Sequence, residues 1–495
     1  MIFFKRKTPL FFLIVLFAFT PFSNVYSDSF EMAPLNPEFI KYQKDLQDAK
    51  LTRLDKTSDG YFLGEIPSPT EHAYTKIQIM DKGIDTSVYA STYDLRNDGK
   101  VPPVRDQGSC GSCWTFATMA SAESLGLTTN TWNFAEQDMN LNHGFDYPFC
   151  EGGNDSMATA YNSRWSGPLN EADSPYPYGG EGINIDQASS YPAKKHVQEV
   201  IKIPQRSDPL DNDTIKHFIT TNGAVHVSFY AASYFSADDE SYYNNVNTNT
   251  NHAVAAIGWD DDYAVFNFKT GTRPPQKGAF LIRNSWGTDR HSDGYFWLSY
   301  YDTSFIPRVS ISKIESSNNY KSVYQYDPLG YVGASGYGGT TCWGANIFTA
   351  TSNDKISAVG FHLNDTNATY EIYVYTNVTT GLPVSGTLAA TKTGSKIYPG
   401  YYTVDLDSPV SVANGEKFSI VIKIINSGYI YPMSTEYIYG GYSSAATSNE
   451  NESFLSPNGT SWTDLYNITT QKNNCIKAFT EKTSVMAPIN LLLLN

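Results

Sequence analysis

A polar, glycine-broken loop that runs directly into an apolar helix is the feature that most constrains this fold. Residues 103–119 read PVRDQGSCGSCWTFATM, and from Cys113 onward the apolar residues have the spacing of a buried helix. Cys113 would then lie in the first helical turn, where partial positive charge and unpaired N–H groups favour a nucleophilic thiolate. Gly108 and Gly111 permit tight turns that aim the sulfur at a cleft, and Gln107 can present its side-chain amide there.

The pair Cys110 and Cys113 has two other interpretations, a redox dithiol and half of a zinc site. A thioredoxin-like dithiol usually follows a strand in a βαβ unit, and this sequence does not indicate one there. A zinc site needs four ligands, and no second Cys/His pair has a suitable spacing. The string Cys-Gly-Ser-Cys-Trp favours a nucleophilic cysteine, and we expect neither a metal nor a cofactor.

Three separated segments resemble the papain family of cysteine proteases. Residues 103–119 resemble the family's nucleophile segment, residues 251–259 (NHAVAAIGW) its histidine strand, and residues 282–287 (IRNSWG) its asparagine segment. His252 follows Cys113 within the expected window of about 130–150 residues. The resemblance implies an α+β protease domain with one helical lobe and one β-barrel lobe. Cys113 and His252 would then face each other across a cleft.

The resemblance also implies a role for each catalytic residue. Cys113 and His252 would form a thiolate–imidazolium pair, and the peptide would pass through a thioester. Asn284 would orient the imidazole, while Gln107 and the backbone N–H of Cys113 would bind the oxyanion. Trp286 would shield the bond between histidine and asparagine from water.

Seven residues are implied to bind substrate. They are Gly152, Gly153, Asn154, Asp155, Ser228, Ala253 and Trp286. Asn154 and Asp155 take the place of a typical aromatic–proline wall, so we expect an unusually polar pocket for the second residue before the cut. Our hypothesis is that Asp155 lets this pocket accept basic or polar side chains.

Four of the five cysteines remain once Cys113 is assigned as the nucleophile. The resemblance pairs Cys110 with Cys150, because residues 150–153 match the family's Cys-x-Gly-Gly turn. Cys342 and Cys475 lie near the two ends of the C-terminal region. We predict a second disulfide between them.

Residues 1–27 have the pattern of a secretory signal peptide. A basic start precedes an apolar run over residues 10–19 that is too short to span a membrane comfortably. We expect cleavage after Ser27, no membrane span afterwards, and a secreted or cell-surface protein. Charged residues make up only 17% of the chain while tyrosine occurs 36 times, which is typical of extracellular proteins. A net charge of −15 without a basic tract argues against nucleic acid as a partner.

The chain divides into five expected regions. They are a signal peptide (1–27), a propeptide or N-terminal arm (28–86), a papain-like protease domain (87–315), a β-sandwich (321–482) and a tail (483–495). The sandwich follows from short alternating apolar and polar runs between turn residues, and its start resembles the lectin-like domain of some prokaryotic papain-type proteases. For the second region two interpretations stay open, an inhibitory propeptide in the cleft or a packing arm that is never removed.

The function expected from these features is that of a secreted cysteine endopeptidase acting on proteins or peptides. The alternative is an inert, protease-like surface adhesin whose sandwich binds glycan or cell wall. A transpeptidase using the same thioester is a third possibility. Because the nucleophile and the histidine are both present, we favour the enzyme. Residues 260–277 make the stretch between His252 and Asn284 longer than usual, and predict a surface hairpin.

Overall fold

The computed structural model describes residues 30–48, 50, 55–70, 89–127, 131–177, 191–232, 235–236, 238–246, 248–468 and 471–481. The expected signal peptide (1–27), the tail (483–495) and residues 71–86 lie outside these residues. Within the described ranges, no helix is both long and apolar enough to cross a membrane.

The described N-terminal residues, 30–70, form an arm that touches both domains. Its elements are β1 (Glu31–Met32), α1 (Pro37–Gln47), β2 (Asp55–Lys56) and β3 (Phe62–Leu63). The Asn36 side chain caps α1 by accepting from the amide of Glu38, as its position before a proline predicts. Phe39 is buried against Tyr439 and Tyr442 of the C-terminal domain, so α1 anchors the arm there.

Among the described residues, three helices form one lobe of the domain predicted over residues 87–315. They are α2 (Cys113–Gly126), α3 (Glu136–Asn142) and α4 (Asp155–Ser163). Every residue of α2 except Leu125 is buried, which is the pattern of a helix at the centre of a domain. Arg105 forms buried ion pairs with Glu123 and Glu136. The loop before α2 is therefore bound to two helices.

The second lobe is a mostly antiparallel sheet with one helix. Its elements are β4 (Thr92–Asp94), β5 (Lys195–Lys202), α5 (Asp213–Thr221), β6 (Val225–Phe229), β7 (Ser241–Tyr242), β8 (His252–Asp260), β9 (Ala279–Arg283), β10 (Tyr295–Ser299) and β11 (Ile306–Ser316). The order β5-β11-β6-β8-β9-β10-β7 places β8 at the centre. The segment joining β8 to β9 closes an antiparallel pair, as the hairpin prediction requires. Its tip is solvent-exposed at Phe266.

The C-terminal domain is built almost entirely from strands. They are β12 (Tyr320–Tyr324), β13 (Gly333–Gly336), β14 (Thr341–Thr349), β15 (Asp354–Leu363), β16 (Ala368–Thr376), β17 (Thr387–Lys396), β18 (Gly400–Val412), β19 (Lys417–Ile425), β20 (Met433–Tyr437), β21 (Ser453–Ser456), β22 (Thr463–Asp464), β23 (Lys472–Asn474) and β24 (Ile476–Glu481). A six-stranded sheet with the order β17-β16-β19-β14-β21-β22 packs on the sheet containing β15 and β18. Burial alternates along β16, which is the pattern of a strand with one face on a core.

The two domains share one hydrogen-bonded sheet of twelve strands, because β18 pairs with β5. At the junction Gly400 lies opposite Ile201. A Cβ on Gly400 would lie 2.2 Å from the carbonyl oxygen of Val200, so only glycine permits this approach. The C-terminal domain is thereby fixed directly to the domain that precedes it.

The predicted disulfide between Cys342 and Cys475 is wrong. Both cysteines are free and buried. The sulfur of Cys342 lies 3.8 Å from the carbonyl oxygen of Ser456, on the neighbouring strand β21. Cys475 lies between β23 and β24, and its amide donates to Ser434. An even number of cysteines gave the expected pairing, but it carried no information about which strands are neighbours.

Candidate active site

Cys113 begins α2, and its sulfur is buried where the two lobes and the arm meet. The backbone amides of Ala253, Gly64 and Trp114 hydrogen-bond this sulfur, the first at 3.4 Å. Ala253 belongs to β8 and Gly64 to the arm, so both lobes and the arm contribute to its surroundings. The helix N-terminus predicted for this cysteine is confirmed.

A disulfide joins the loop before Cys113 to the turn 150–153. Cys110 and Cys150 are bonded with an S–S distance of 2.08 Å, as the resemblance implies. The amide of Gly111 also donates to the carbonyl of Cys150, at 2.9 Å. Gly153 packs so closely on α2 that a Cβ would lie 2.3 Å from the ring of Trp114. These contacts hold the backbone of the turn at the edge of the cleft.

His252, at the start of β8, is held by Asn284, which follows β9. The two atoms His252 Nε2 and Asn284 Oδ1 are 2.8 Å apart. Asn284 Nδ2 lies 2.9 Å from His291 Nε2, and His291 Nδ1 lies 2.9 Å from the carbonyl oxygen of Asp239. Since that carbonyl only accepts, His291 Nδ1 carries a proton, Asn284 donates to His291, and Asn284 Oδ1 accepts from His252. This relay leaves His252 Nδ1 as the unprotonated nitrogen of the neutral ring, and it has no hydrogen-bond partner among the described residues.

The indole of Trp286 covers the imidazole of His252. Their ring centroids are 4.6 Å apart with an interplanar angle of 23°. Trp286 also stacks on Tyr61 of the arm, with ring centroids 4.8 Å apart. The predicted shielding role of Trp286 fits this position. Trp286 was also predicted to contact the substrate, and in this structure Tyr61 of the arm contacts it instead of a substrate.

Gln107 presents its side-chain amide to the cleft. Its Nε2 donates to the carbonyl oxygens of Phe62 and Cys110, at 3.1 and 2.8 Å. Its Oε1 accepts from Ser285 Oγ at 2.6 Å, which fixes the orientation of the amide. Phe62 belongs to the arm, so the predicted oxyanion donor already binds a peptide carbonyl.

The arm lies along the cleft and pairs with its glycine turn. The amide of Gly153 donates to the carbonyl of Gly64 at 2.9 Å, and the amide of Ile66 donates to the carbonyl of Gly153 at 3.0 Å. The amide of Glu65 donates to Asn251 on the opposite wall, at 3.1 Å. The arm therefore bridges the two lobes with its backbone, directly over Cys113.

Of the predicted subsite residues, Ser228 and Asp155 lie at a buried pocket that the Glu65 side chain fills. Ser228 Oγ donates to Glu65 Oε1 at 2.9 Å, and Arg308 Nη2 lies 3.1 Å from the same oxygen. Asp155 forms an ion pair with buried Lys202, at 3.6 Å. The contacts do not favour the hypothesis that Asp155 recruits basic side chains, because a buried lysine already pairs with Asp155 and the occupant is a carboxyl group.

Asn154 has a structural role beside this pocket. Its Oδ1 caps α4 by accepting from the amide of Met157, at 3.0 Å. Its Nδ2 lies 3.2 Å from the hydroxyl oxygen of Tyr442. A residue of the C-terminal domain thus contacts the wall of the cleft, which sequence patterns did not indicate.

Sequence reasoning missed three groups at the site, His291, Arg308 and Glu65. His291 lies seven residues after Asn284, just beyond the segment 282–287, and belongs to no motif of its own. Arg308 and Glu65 are far apart along the chain and belong to no local motif. For each of them, the sequence shows only a single charged residue beside apolar positions, which does not indicate a partner.

Burial makes the thiol of Cys113 and the imidazole of His252 neutral in this arm-bound state. It raises the pKa of Cys113 from 9.0 to about 12, with the Glu65 carboxyl as a second cause. It lowers the pKa of His252 from 6.5 to about 4, against the hydrogen bond to Asn284. The expected thiolate–imidazolium pair is therefore absent from this closed state, and it requires solvent or substrate in place of the arm.

This state predicts how Cys113 reacts with iodoacetamide. In the uncut chain, the alkylation rate of Cys113 is expected to rise roughly tenfold per pH unit from pH 7 to 10. The reason is that only about 1% of a thiol with a pKa near 12 is ionised at pH 10. Mass spectrometry of the peptide containing Cys113 separates it from Cys342 and Cys475. A rate that levels off below pH 8 would show that the thiolate already exists beneath the arm.

Two family models match this chain. The model of the papain family cysteine protease matches residues 89–318, and that of the lectin like domain matches residues 323–480. Oryzain gamma chain of Oryza sativa subsp. japonica is 30% identical over 221 residues, which is 43% of this chain and 56% of that protein. The chain thus spans only about half the length of this relative.

Two solved structures are similar to nearly the whole of this chain. The crystal structure of the cysteine protease and lectin-like domains of Cwp84, a surface layer associated protein of Clostridium difficile, covers 92% of this chain and 99% of its own. Its TM-score is 0.76 at 24% identity. A structure of Cwp84 after propeptide cleavage covers 80% of this chain and 100% of its own, with a TM-score of 0.69 at 25% identity.

Proposed function

Since residues 89–318 belong to the papain family of cysteine proteases and residues 323–480 to the lectin-like domains, we propose that this chain is the precursor of an exported cysteine endopeptidase. Cys113 is the nucleophile, His252 the general base and acid, and Asn284 the group that orients the ring. The observation that carries this proposal is the hydrogen-bond relay through Asn284 and His291, which leaves Nδ1 of His252 unprotonated. His252 directly precedes Ala253, whose backbone amide hydrogen-bonds the sulfur of Cys113.

In the proposed reaction, the sulfur of Cys113 attacks the carbonyl carbon of a peptide bond, and its proton passes to His252 Nδ1. His252 returns that proton to the leaving amine, which leaves an acyl group on the sulfur as a thioester. A water molecule deprotonated by the same nitrogen then hydrolyses the thioester. The amide of Cys113 and Nε2 of Gln107 donate to the oxyanion, and the loss of one such donor typically costs about 2.7–4 kcal/mol of transition-state stabilisation.

The arm acts as an inhibitory propeptide in this proposal. Its backbone occupies both walls of the cleft, and its Phe62 carbonyl takes the amide of Gln107. Residues 71–88 connect the arm to the protease domain and are the expected site of cleavage. The structure of Cwp84 after propeptide cleavage covers a smaller share of this chain than the other Cwp84 structure, which supports removal of the arm over a permanent packing role.

The lectin-like domain would hold the enzyme at its place of action. One relative by structure is a surface layer associated protein, which supports export and a cell-surface location for this chain. The domain would bind a glycan or another cell-surface ligand, while the protease domain acts on proteins or peptides. Because the two domains share a sheet, binding by one would orient the cleft of the other.

A covalent label tests the proposed activity. The full chain, with the recognition sequence of a specific endoprotease placed within residues 71–88, is cut and treated with a thiol-directed epoxide. We expect one label per chain at Cys113, and hydrolysis of a denatured protein that the label abolishes. Products carrying an added amine would identify a transpeptidase. A cut chain that neither takes the label nor hydrolyses any protein would favour the inert adhesin.

A further inference from the structure

Besides the groups around Cys113, the cleft contains a pocket that holds the Glu65 side chain. The backbone of Glu65 is fixed by its bond to Asn251 and by the bonds of its neighbours to Gly153. Gly64, the residue before it, hydrogen-bonds the sulfur of Cys113. The Glu65 side chain therefore enters the pocket one residue away from the nucleophile, where a bound peptide would also place a side chain.

Four charged side chains are buried together at this pocket. Arg308 pairs with Glu65, and Lys202 pairs with Asp155. All four are at least nine-tenths buried, and His226 beside them is neutral because burial lowers its pKa to about 4. When Glu65 is ionised and in place, the two positive and the two negative charges of these four side chains balance. When the arm leaves, Glu65 is lost from this set of described side chains, and two cations and one anion of the four remain.

Arg308 is held so that it faces the occupant. Its Nε donates to Ser228 Oγ at 3.0 Å, and its Nη2 donates to Thr250 Oγ1 at 2.9 Å. Ser228 in turn donates its own proton to Glu65. A serine hydroxyl that accepts from a guanidinium is thus oriented to donate to an acceptor in the pocket. An anion in the pocket accepts hydrogen bonds from Ser228 and Arg308, whereas the positive charge of a lysine side chain would be repelled by the guanidinium.

Desolvation acts against the charged form of an acidic occupant and outweighs the other effects on its pKa. Burial raises the pKa of Glu65 from 4.5 to about 7, and the positive charge of Arg308 acts in the opposite direction. An apolar occupant avoids that desolvation, but it does not replace the carboxylate that Glu65 places beside the buried guanidinium. Buried charges that lose a partner are strongly unfavourable.

We propose that this pocket selects an acidic side chain, glutamate before aspartate, at the second residue before the cleaved bond, and that Arg308 is the residue that selects it. Glutamate is preferred because its length brings the carboxylate from the Glu65 position to both Ser228 and Arg308. The inference rests on the proposed peptidase activity and names its substrate class, proteins with an acidic residue at that position.

The test uses the full chain cut within residues 71–88 and five peptides that differ only at the second residue before the cut. That residue is Glu, Asp, Gln, Leu or Lys, and the assay runs at pH 8, where a glutamate at this position is ionised. We expect kcat/KM for the Glu peptide to exceed that for Gln or Leu by about tenfold to hundredfold, with Lys the poorest. In the variant Arg308→Gln, we expect the ratio of kcat/KM for the Glu peptide to kcat/KM for the Gln peptide to fall to about one. The Gln peptide should still be hydrolysed by this variant. Arg308→Lys keeps part of the preference, and the surface variant Arg96→Gln keeps all of it.

A second measurement needs no turnover. In the uncut chain, Glu65→Lys is expected to speed alkylation of Cys113 by about tenfold or more, because a like charge faces Arg308, whereas Glu65→Gln speeds it less. Hydrolysis led by the Leu peptide, with the same profile in Arg308→Gln, would overturn the inference and leave the peptidase proposal intact. A cut chain without epoxide labelling or any hydrolysis would instead remove the peptidase proposal.

Discussion

Replacing Cys113 with alanine is expected to lower kcat for peptide hydrolysis by roughly 10⁵-fold or more in the cut chain. Alanine has no nucleophile, so the thioester cannot form, and the remaining oxyanion donors supply only a small residual acceleration. Because catalytic groups that act together are not additive, Cys113→Ala combined with His252→Ala should be no worse than Cys113→Ala alone. Initial rates with a fluorogenic peptide, measured beside the thermal midpoint of each variant, check this expectation.

Cys342→Ala is the matched control for this experiment. Cys342 is also a free, buried thiol, but it lies on β14 in the six-stranded sheet of the lectin-like domain. Its loss removes one buried sulfur, with a destabilisation of roughly 1 kcal/mol and unchanged kcat. If Cys113→Ala retained more than about 1% of wild-type kcat while Cys342→Ala lost its activity, the nucleophile would have been assigned to the wrong cysteine.

Local patterns were sufficient where the chemistry is local. The loop and the helix that begins at Cys113 could be predicted because glycines and apolar periodicity act over a few residues. The partnership of His252 and Asn284 followed from two strand segments that resemble a family. Within the C-terminal domain, alternation along strands such as β16 predicted a sandwich. Alternation describes the faces of one strand, however, and could not show that β18 pairs with β5 of the other domain.

The errors concern contacts between residues that are distant in the sequence. Cys342 and Cys475 were paired by counting, and the fold places them in different surroundings. Asp155 was assigned to recognition because it takes the place of the family's pocket wall, but its partner Lys202 belongs to a strand whose position no local signal gives. Arg308 carries the opposite charge into the same pocket. The sign of a buried pocket depends on all of its charges together, so a single residue could not predict it.

The arm was the least predictable part of the site. Its sequence offered a capped helix and an aromatic extended segment, which suit both an inhibitor and a permanent packing element. The contacts decide between them only in part: α1 packs on Tyr439 and Tyr442, while residues 61–66 contact the catalytic groups. The first set of contacts anchors the arm on the lectin-like domain, and the second closes the cleft. A substitution confined to the second set therefore separates inhibition from anchoring.

Gly64→Ala is expected to raise the peptidase activity of the uncut chain by roughly 10- to 100-fold. A Cβ on Gly64 would lie 2.1 Å from the carbonyl oxygen of Gly111, and neither backbone can shift without breaking the bonds that hold the nucleophile loop. Overpacking of this kind typically costs about 1–3 kcal/mol, and each 1.4 kcal/mol shifts the docking equilibrium tenfold. The measurement is the initial rate on a fluorogenic peptide, with mass spectrometry showing that the chain is still uncut.

Ser58→Ala is the control, because it removes a polar atom from the exposed turn between β2 and β3 of the arm, outside the cleft. It should leave the uncut chain as inactive as wild type. Once the arm is cut and separated from the chain, all three proteins should be equally active, since Gly64 leaves with the arm and belongs to no catalytic group. Equal activity of uncut Gly64→Ala and uncut wild type would mean that the arm does not limit access to Cys113. Since the substitution changes only the fit of the arm, a gain in the uncut chain that disappears after cutting can come only from displacement of the arm.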